Sequence, residues 1–405
     1  MKASAGVGYC NLKGIFREVP RYYEFFAGGG MVRAGLGPSW RCAFANDIDP
    51  KKSHAYTRNW GGAELKTSDV AALTPEDLPG RADLAWASFP CQDLSLAGVG
   101  AGLRGERSGT FRPFWNLMRA LIKDDRAPAM IVLENVCGAL TSHQGKDFAT
   151  ICSSYGKAGY RLGALVVDAA LFVPQSRARL FVIGVKKDLH VPGELTDEGE
   201  REEESPGAKW RPRPLRAAHD RLPAEARGNW IWWQVPAPPP LDARFADLIE
   251  DEPTGVAWNS GAETSRLLAM MSEVNRAKVE QAKRSGRRMV GAIYKRTRRD
   301  GDGLKVQRAE IRFDDIAGCL RTPTGGSSRQ SILVVEGDRV ESRLLSSRET
   351  ARLMGLPEDY RLPENYNEAY HLTGDGVVVP VVRHLAAHLF EPLLAANRRA
   401  RAGTT

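Results

Sequence analysis

Cysteine is scarce in this chain of 405 residues: six lie at positions 10, 42, 91, 137, 152 and 319, and no two form a CxxC pair. That spacing argues against a structural zinc site and a disulfide framework, so the thiols are expected to be reduced and Cys91 free. No uninterrupted apolar run reaches membrane length, and the opening MKASAGVGYCNLKG contains no apolar h-region. A cytosolic protein is the expectation. Internal repeats are absent as well, so no repeat array is anticipated. Acidic residues are outnumbered, 49 against 57 Lys and Arg, for a net charge of +8 that favours a polyanionic partner. Hydrophobic content of 42% and charged content of 26% are ordinary for a globular chain, and the length allows two domains.

The positive charge is concentrated between Arg276 and Arg308, opposed there only by Glu280, Asp300 and Asp302. Such a cluster reads either as a solvated helix face or as a phosphate-binding surface. The acidic run DEGEREEE, from Asp197 to Glu204, reads as a flexible linker. From Tyr22 to Val185 short apolar runs (RYYEFF, RCAFAND, RADLAWA, PAMIVLENV, ARLFVIGV) alternate with amphipathic stretches. This pattern predicts an α/β fold with a parallel sheet covered on both faces. Residues 188 to 340 lose that regularity and look like an inserted domain. In SSRETARLMGLP a helix returns with a Ser N-cap and Glu at N3, and VPVVRHLAAHLFEPLLAANRR reads as a closing amphipathic helix.

The loop EFFAGGG lies between a strand and a helix, where backbone N–H groups and the helix dipole can receive a ligand. It departs from GxGxxG because Arg33 occupies the third glycine position, whereas Phe26, Gly28 and Gly30 leave room for a nucleoside without a diphosphate tail. Asp47, about 20 residues on, is placed to accept from ribose hydroxyls, with Ile48 available to a flat purine. Asp49 can serve there or cap the next helix. Cys91 follows a strand in SFPCQDLSLAG, at the edge where loops form a ligand crevice; a helix N-terminus there favours thiolate and makes it a candidate nucleophile. Glu134 and Asn135 lie just past another apolar strand, hence at the same edge, where a carboxylate is costly unless paired or used. Arg177 and Arg179, two apart, share one face of an extended segment pointing inward. His384 and His388 have i, i+4 spacing but lack the glutamate of HExxH, so they read as a helix surface pair.

In this order, EFFAGGG, NDIDP, SFPCQDLSLAG, ENV, QSRAR, RLLSSRETARLMGLPEDY and GDGVVVPVVRHLAAHL resemble the motif series of the C5-cytosine DNA methyltransferases. The resemblance covers most of residues 22 to 185 and 343 to 390. It implies a Rossmann-like S-adenosylmethionine-dependent domain with a smaller inserted target-recognition domain. Residues 1–185 and 343–405 would form the catalytic part and 186–342 the insert. Phe26, Gly28 and Gly30 would line the cofactor, with Asp47 on its ribose, Ile48 on its adenine, Asp69 near its amino group, and Pro90 and Asp375 beside it. Cys91 would be the nucleophile, Glu134 the group on cytosine N3, and Arg177 and Arg179 contacts in the base pocket. The basic cluster would meet phosphates of double-stranded DNA, bound by a monomer, and the loop from Arg321 to Ser331 would follow a backbone. Trp230, Trp232 and Trp233 are expected in the core of the insert. Ser88 and Met31 stand where the family usually has glycine, and Asp375 where it has asparagine. Competing readings are a tRNA cytosine methyltransferase of the same fold and a nucleic-acid-binding protein with an inactive fold. A nicotinamide dehydrogenase is disfavoured by Arg33.

Overall fold

A computed structural model describes residues 19–90, 110–197, 207–299, 303–322 and 329–402. Strands β1 (Arg21–Phe25), β2 (Arg41–Asp47), β3 (Leu65–Thr67), β4 (Leu84–Ala87) and β5 (Met130–Val136) run parallel in the order β3-β2-β1-β4-β5. They are separated in the chain by α1 (Met31–Leu36), α2 (Pro50–Trp60) and α3 (Phe111–Lys123), and α4 (Lys146–Lys157) follows β5. Alternate residues feed two cores. Tyr22, Leu84, Trp86, Met130 and Val132 join one, whereas Tyr23, Phe25, Ala85, Ile131 and Leu133 join the other. A strand with period two, buried on both faces, reads as the near-continuous apolar run seen in LAWA and MIVL.

β6 (Tyr160–Asp168) and β7 (Ala178–Lys186) complete the seven-stranded sheet, and here the all-parallel expectation fails: β7 runs antiparallel to both β5 and β6. The connection between them holds only a 3₁₀ turn, Ala169–Leu171. It is too short for the crossover that a parallel neighbour needs, so the chain reverses.

Next come α5 (Arg213–Asp220), α6 (Ala224–Gly228), α7 (Gly261–Ala269) and α8 (Glu273–Arg284). They are followed by an antiparallel sheet, order β11-β10-β8-β9, of β8 (Met289–Arg299), β9 (Lys305–Arg312), β10 (Ser331–Glu336) and β11 (Arg339–Leu344). One face of this sheet, including Ile293, Ile311, Leu333 and Val335, packs with Leu267 of α7 and Val279 of α8. The other, including Val290, Ala292, Ile332 and Val334, joins the first large core.

The change in composition after Lys187 does not coincide with a change in packing. Trp233 is fully buried and donates its indole N–H to Ile183 O at 3.3 Å, while Ile231 N donates to Leu162 O at 2.6 Å. The tryptophan run therefore lies against the edge strand β6 and belongs to the large sheet, not to the core of an insert. Gly163 permits this approach, since a Cβ there would collide with Ile231 O.

The chain closes with α9 (Ser347–Leu353), α10 (Tyr366–Asp375), α11 (Val379–Leu385) and α12 (Glu391–Ala402), the last two joined by a π-turn, Ala386–Phe390. Ser346 caps α9, with Glu349 reciprocating as the sequence predicts. By length and composition Tyr366–Ala400 is apolar enough to cross a membrane, but it breaks between α10 and α11 and most of it is buried. His384 is not a bare surface residue: its Nε2 lies 2.9 Å from Pro236 O and its ring packs on Phe172.

Where β11 enters α9, Arg343 and Glu349 are both fully buried. Glu349 accepts from both terminal nitrogens of Arg343 (2.7 and 2.6 Å), from Ser346 N (2.7 Å) and from Glu250 N (2.7 Å). The pair thus welds the small sheet to the C-terminal helices. Removing one charge strands the other in a dry site. Glu349→Gln is expected to lower unfolding free energy by about 3 kcal/mol, read from the denaturant midpoint.

Candidate active site

The ends of β1, β2, β4 and β5 meet at one edge of the large sheet. After β1 the backbone turns left-handed at Phe26 (φ 58°), Gly28 (φ 56°) and Gly30 (φ 77°) before α1 begins. A side chain at Gly30 would also collide with the Trp60 indole, so that position demands glycine on two counts. The loop is held from outside: Gly29 O accepts from Trp60 Nε1 at 2.9 Å and from the Tyr360 hydroxyl at 2.8 Å. Arg33 lies over the Tyr56 and Trp60 rings and donates to the Tyr56 hydroxyl at 3.0 Å, pinning α1 to α2.

Asp47 ends β2 with its carboxylate buried. Oδ2 accepts from Gly28 N and Oδ1 from Asp49 N, each at 2.8 Å. Burial raises its pKa from the usual value, and Lys52 and the two backbone donors pull against that rise. Ile48, next in the chain, is 61% exposed, an apolar side chain presented beside a buried carboxylate. Asp49 is the helix cap, accepting from Lys51 N at 2.8 Å. Asp69 is exposed and caps the turn Val70–Ala72 by accepting from Ala71 N.

β4 leads through Ser88 and Phe89 to Pro90; Cys91 and the rest of its loop lie outside the described residues. The Ser88 hydroxyl accepts from Trp86 Nε1 at 3.0 Å, which accounts for serine where glycine is usual. Asn135 donates to Phe89 O at 3.2 Å, so β5 holds the backbone just before the proline. Glu134 and Asn135 sit within β5, not past it. Glu134 Oε1 lies 3.2 Å from Arg179 Nε, with both side chains largely buried.

The two arginines share a face, as their spacing predicts, but differ in use. Arg177 is 3% exposed, and its guanidinium donates to Leu320 O (3.0 Å), Gly374 O (3.0 Å) and Gly376 O (2.7 Å). A guanidinium buried so deeply needs local acceptors, and both terminal nitrogens clamp backbone while Nε is left without a hydrogen-bond partner. Cys319 Sγ lies 3.4 Å from Arg177 Nη1 and 4.0 Å from Arg179 Nη2. Burial would raise that thiol, but the two guanidiniums outweigh it and hold it below its ordinary 9.0. Asp375 is likewise engaged, accepting from Lys52 Nζ and from the Thr322 hydroxyl, each at 2.7 Å. Beside this junction a cavity of about 520 Å³ opens towards the small sheet, lined by Lys278, Tyr294, Arg296, Arg312, Cys319 and Arg321. Among the described residues no cluster of His, Cys, Asp and Glu is arranged to hold a metal ion.

A sequence profile described as C-5 cytosine-specific DNA methylase matches residues 21–391. The chain belongs to that family. The type II methyltransferase M.BsuFI of Bacillus subtilis is 25% identical over 378 residues, covering 93% of this chain and 74% of its own. M.HhaI of Haemophilus parahaemolyticus, also a type II methyltransferase, is 22% identical over 374 residues, covering 91% and 94%. The solved S. pombe Dnmt2 methyltransferase shares the fold, with a TM-score of 0.53 at 18% identity over 92% of this chain and 99% of that one. These methylases are an S-adenosylmethionine-dependent class of DNA-modifying enzyme.

Seen within the methylase family, the structure brings Phe26, Gly28, Gly30, Asp47 and Ile48 together at one edge and Glu134 with Arg179 nearby. Lys52, Gln175 and Cys319 were not singled out by the sequence. Gln175 is fully buried, donating to Leu353 O (2.7 Å) and accepting from Leu320 N (3.1 Å). Its partners are 178 and 145 residues away. No local spacing signals such a contact.

Glu24, in β1 beneath the glycine loop, is fully buried, and neither carboxylate oxygen completes a hydrogen bond. Burial pushes its pKa from 4.5 up to about 8, with Arg33 offsetting only part of the rise. The folded protein holds this proton while the unfolded chain releases it, so stability falls as pH rises from 4.5 to about 8. The melting-temperature advantage of Glu24→Gln over the native chain is expected to be smallest near pH 4.5 and to grow to pH 8; a pH-independent difference would contradict the assignment.

Proposed function

We propose that this methylase transfers a methyl group from S-adenosylmethionine to C5 of a cytosine flipped out of a specific double-stranded DNA sequence, through a transient Cys91–C6 bond. The observation that carries the reading is the Glu134–Arg179 pair, 3.2 Å apart at the end of the strand that also holds Phe89, two residues before Cys91. A carboxylate and a guanidinium this close, largely shielded from water, can bind one edge of a pyrimidine.

The glycine loop suits the cofactor's nucleoside: Gly30 tolerates no side chain, Asp47 is held with both oxygens fixed, and exposed Ile48 offers an apolar face to a purine. Phe26, Gly28, Pro90 and Asp69 would complete its surroundings. When bound, S-adenosylmethionine supplies an electrophilic methyl group on a sulfonium. Cytosine C5 is a poor nucleophile, so the Cys91 thiolate first forms a bond to C6 and shifts electron density to C5. Glu134, sharing a proton with N3, stabilises the ring charge, and Arg179 keeps Glu134 oriented. With the methyl group on C5 and the neutral thioether S-adenosylhomocysteine left behind, water would take the C5 proton as the C6–S bond breaks and returns the thiolate. Base flipping is required because C6 cannot be reached inside the duplex stack.

The basic residues of α8, β8 and β9 and the cavity beside them are suited to phosphates, so this part of residues 186–342 would carry most of target recognition. The enzyme would act as a monomer on nucleoid DNA in the cytoplasm. Because relatives such as M.BsuFI and M.HhaI are named type II methyltransferases, a restriction-modification setting is the reading we favour over a tRNA substrate. Incubation with the cofactor and unmethylated mixed-sequence duplex should yield 5-methylcytosine by mass spectrometry. Duplex carrying 5-fluorocytosine should become covalently linked at position 91. Cys91→Ser should abolish both, and methylation of tRNA alone would reverse the choice of substrate.

A further inference from the structure

Lys52 lies in the first turn of α2, directly after the Asp47–Ile48–Asp49 turn. Three carboxylates favour the charge of its ammonium, Asp375 most and then Asp47 and Asp49. The contact with Asp375 is a direct ion pair of 2.7 Å. Asp375 is the last residue of α10, and the carbonyls of its two neighbours, Gly374 and Gly376, are both taken by Arg177. Its other carboxylate oxygen accepts from Thr322, in the strap that returns from the small sheet past Cys319 and Leu320. An asparagine, the residue usual at this point of the family pattern, would carry no charge and need no cation. The aspartate does, and Lys52 provides it from the helix that follows the Asp47 turn.

We infer that Lys52 is a positioning residue: through Asp375 it ties the cofactor-facing turn at Asp47 to the strap beside the base pocket, and it lets this chain carry aspartate at 375. Without Lys52, the half-exposed Asp375 loses its direct ion pair and keeps only the Thr322 hydroxyl and the charge of Arg177, while Asp47 loses the cation that most favours its charge. Asp47, already raised by burial, would then hold its charge less firmly and accept less strongly from the Gly28 and Asp49 N–H groups that fix it. A neutral side chain at 375 removes the need for the cation.

This rests on the proposed use of the Asp47 edge by S-adenosylmethionine. The test compares the full chain with Lys52→Met, Asp375→Asn and the double variant. Binding of S-adenosylhomocysteine to DNA-free protein is measured by calorimetry, alongside steady-state methyl transfer to mixed-sequence duplex. Lys52→Met should weaken binding and raise KM for the cofactor about tenfold with kcat changed less than about threefold. Adding Asp375→Asn to it should restore most of that loss, the non-additivity expected of contacting charges. A competent native chain with Lys52→Met binding as tightly as wild type, or with no rescue by Asp375→Asn, overturns the inference. A native chain that neither binds the cofactor analogue nor transfers methyl overturns the functional reading, and the inference with it.

Discussion

The guanidinium of Arg177 holds together the three pieces of chain that build this site. Its backbone N–H is fixed by Asp168 at 2.8 Å, which sets the direction in which β7 starts. Its terminal nitrogens reach Leu320 O on the strap from the small sheet, Gly374 O in the last turn of α10 and Gly376 O just after it. Those segments are up to 199 residues apart in the chain. A charge with almost no exposure tolerates one arrangement of acceptors, so the clamp specifies geometry more than it adds net stability. Everything downstream depends on that arrangement: the Cys319 thiol between the two arginines, Arg179 on Glu134, and Asp375 within reach of Lys52.

The departures from the family pattern are each absorbed by a neighbour. Ser88 accepts the indole N–H of Trp86. Arg33, which departs from the dinucleotide GxGxxG and not from the family pattern, lies over Tyr56 and Trp60 and locks α1 to α2. Met31 is buried, and its sulfur occupies the space that a side chain at Gly376 would need. Met31 therefore packs on the glycine that follows Asp375, so two of the unusual residues border one turn.

Much of the architecture was legible because it rests on local chemistry. Apolar runs of four to seven residues ending at glycine, acid or proline marked β1, β2, β4 and β5. The Ser346–Glu349 capping box marked the start of α9, since both partners lie within one turn. The reversed direction of β7 was not legible, because strand sequence carries no sign of polarity; only the shortness of its connection to β6 decides it. Nor was the place of the Trp230–Trp233 run. Composition marks it as unlike the strands before it, but which sheet it covers depends on the bare edge of β6 and the absence of a side chain at Gly163.

By itself the chain's order of residues determined the class of fold, the strand ends that gather at one edge, and the identity of the groups offered there. Those follow from periodicity, turn chemistry and the ordered motifs, all of which act over a few residues. Tertiary structure alone decided how the groups are spent. It set the Arg177 guanidinium on three backbone carbonyls, paired Arg179 with Glu134, and gave Asp375 to Lys52 across 323 positions. Buried charge must find its partner wherever packing brings one within about 3 Å, and no spacing in sequence encodes that distance.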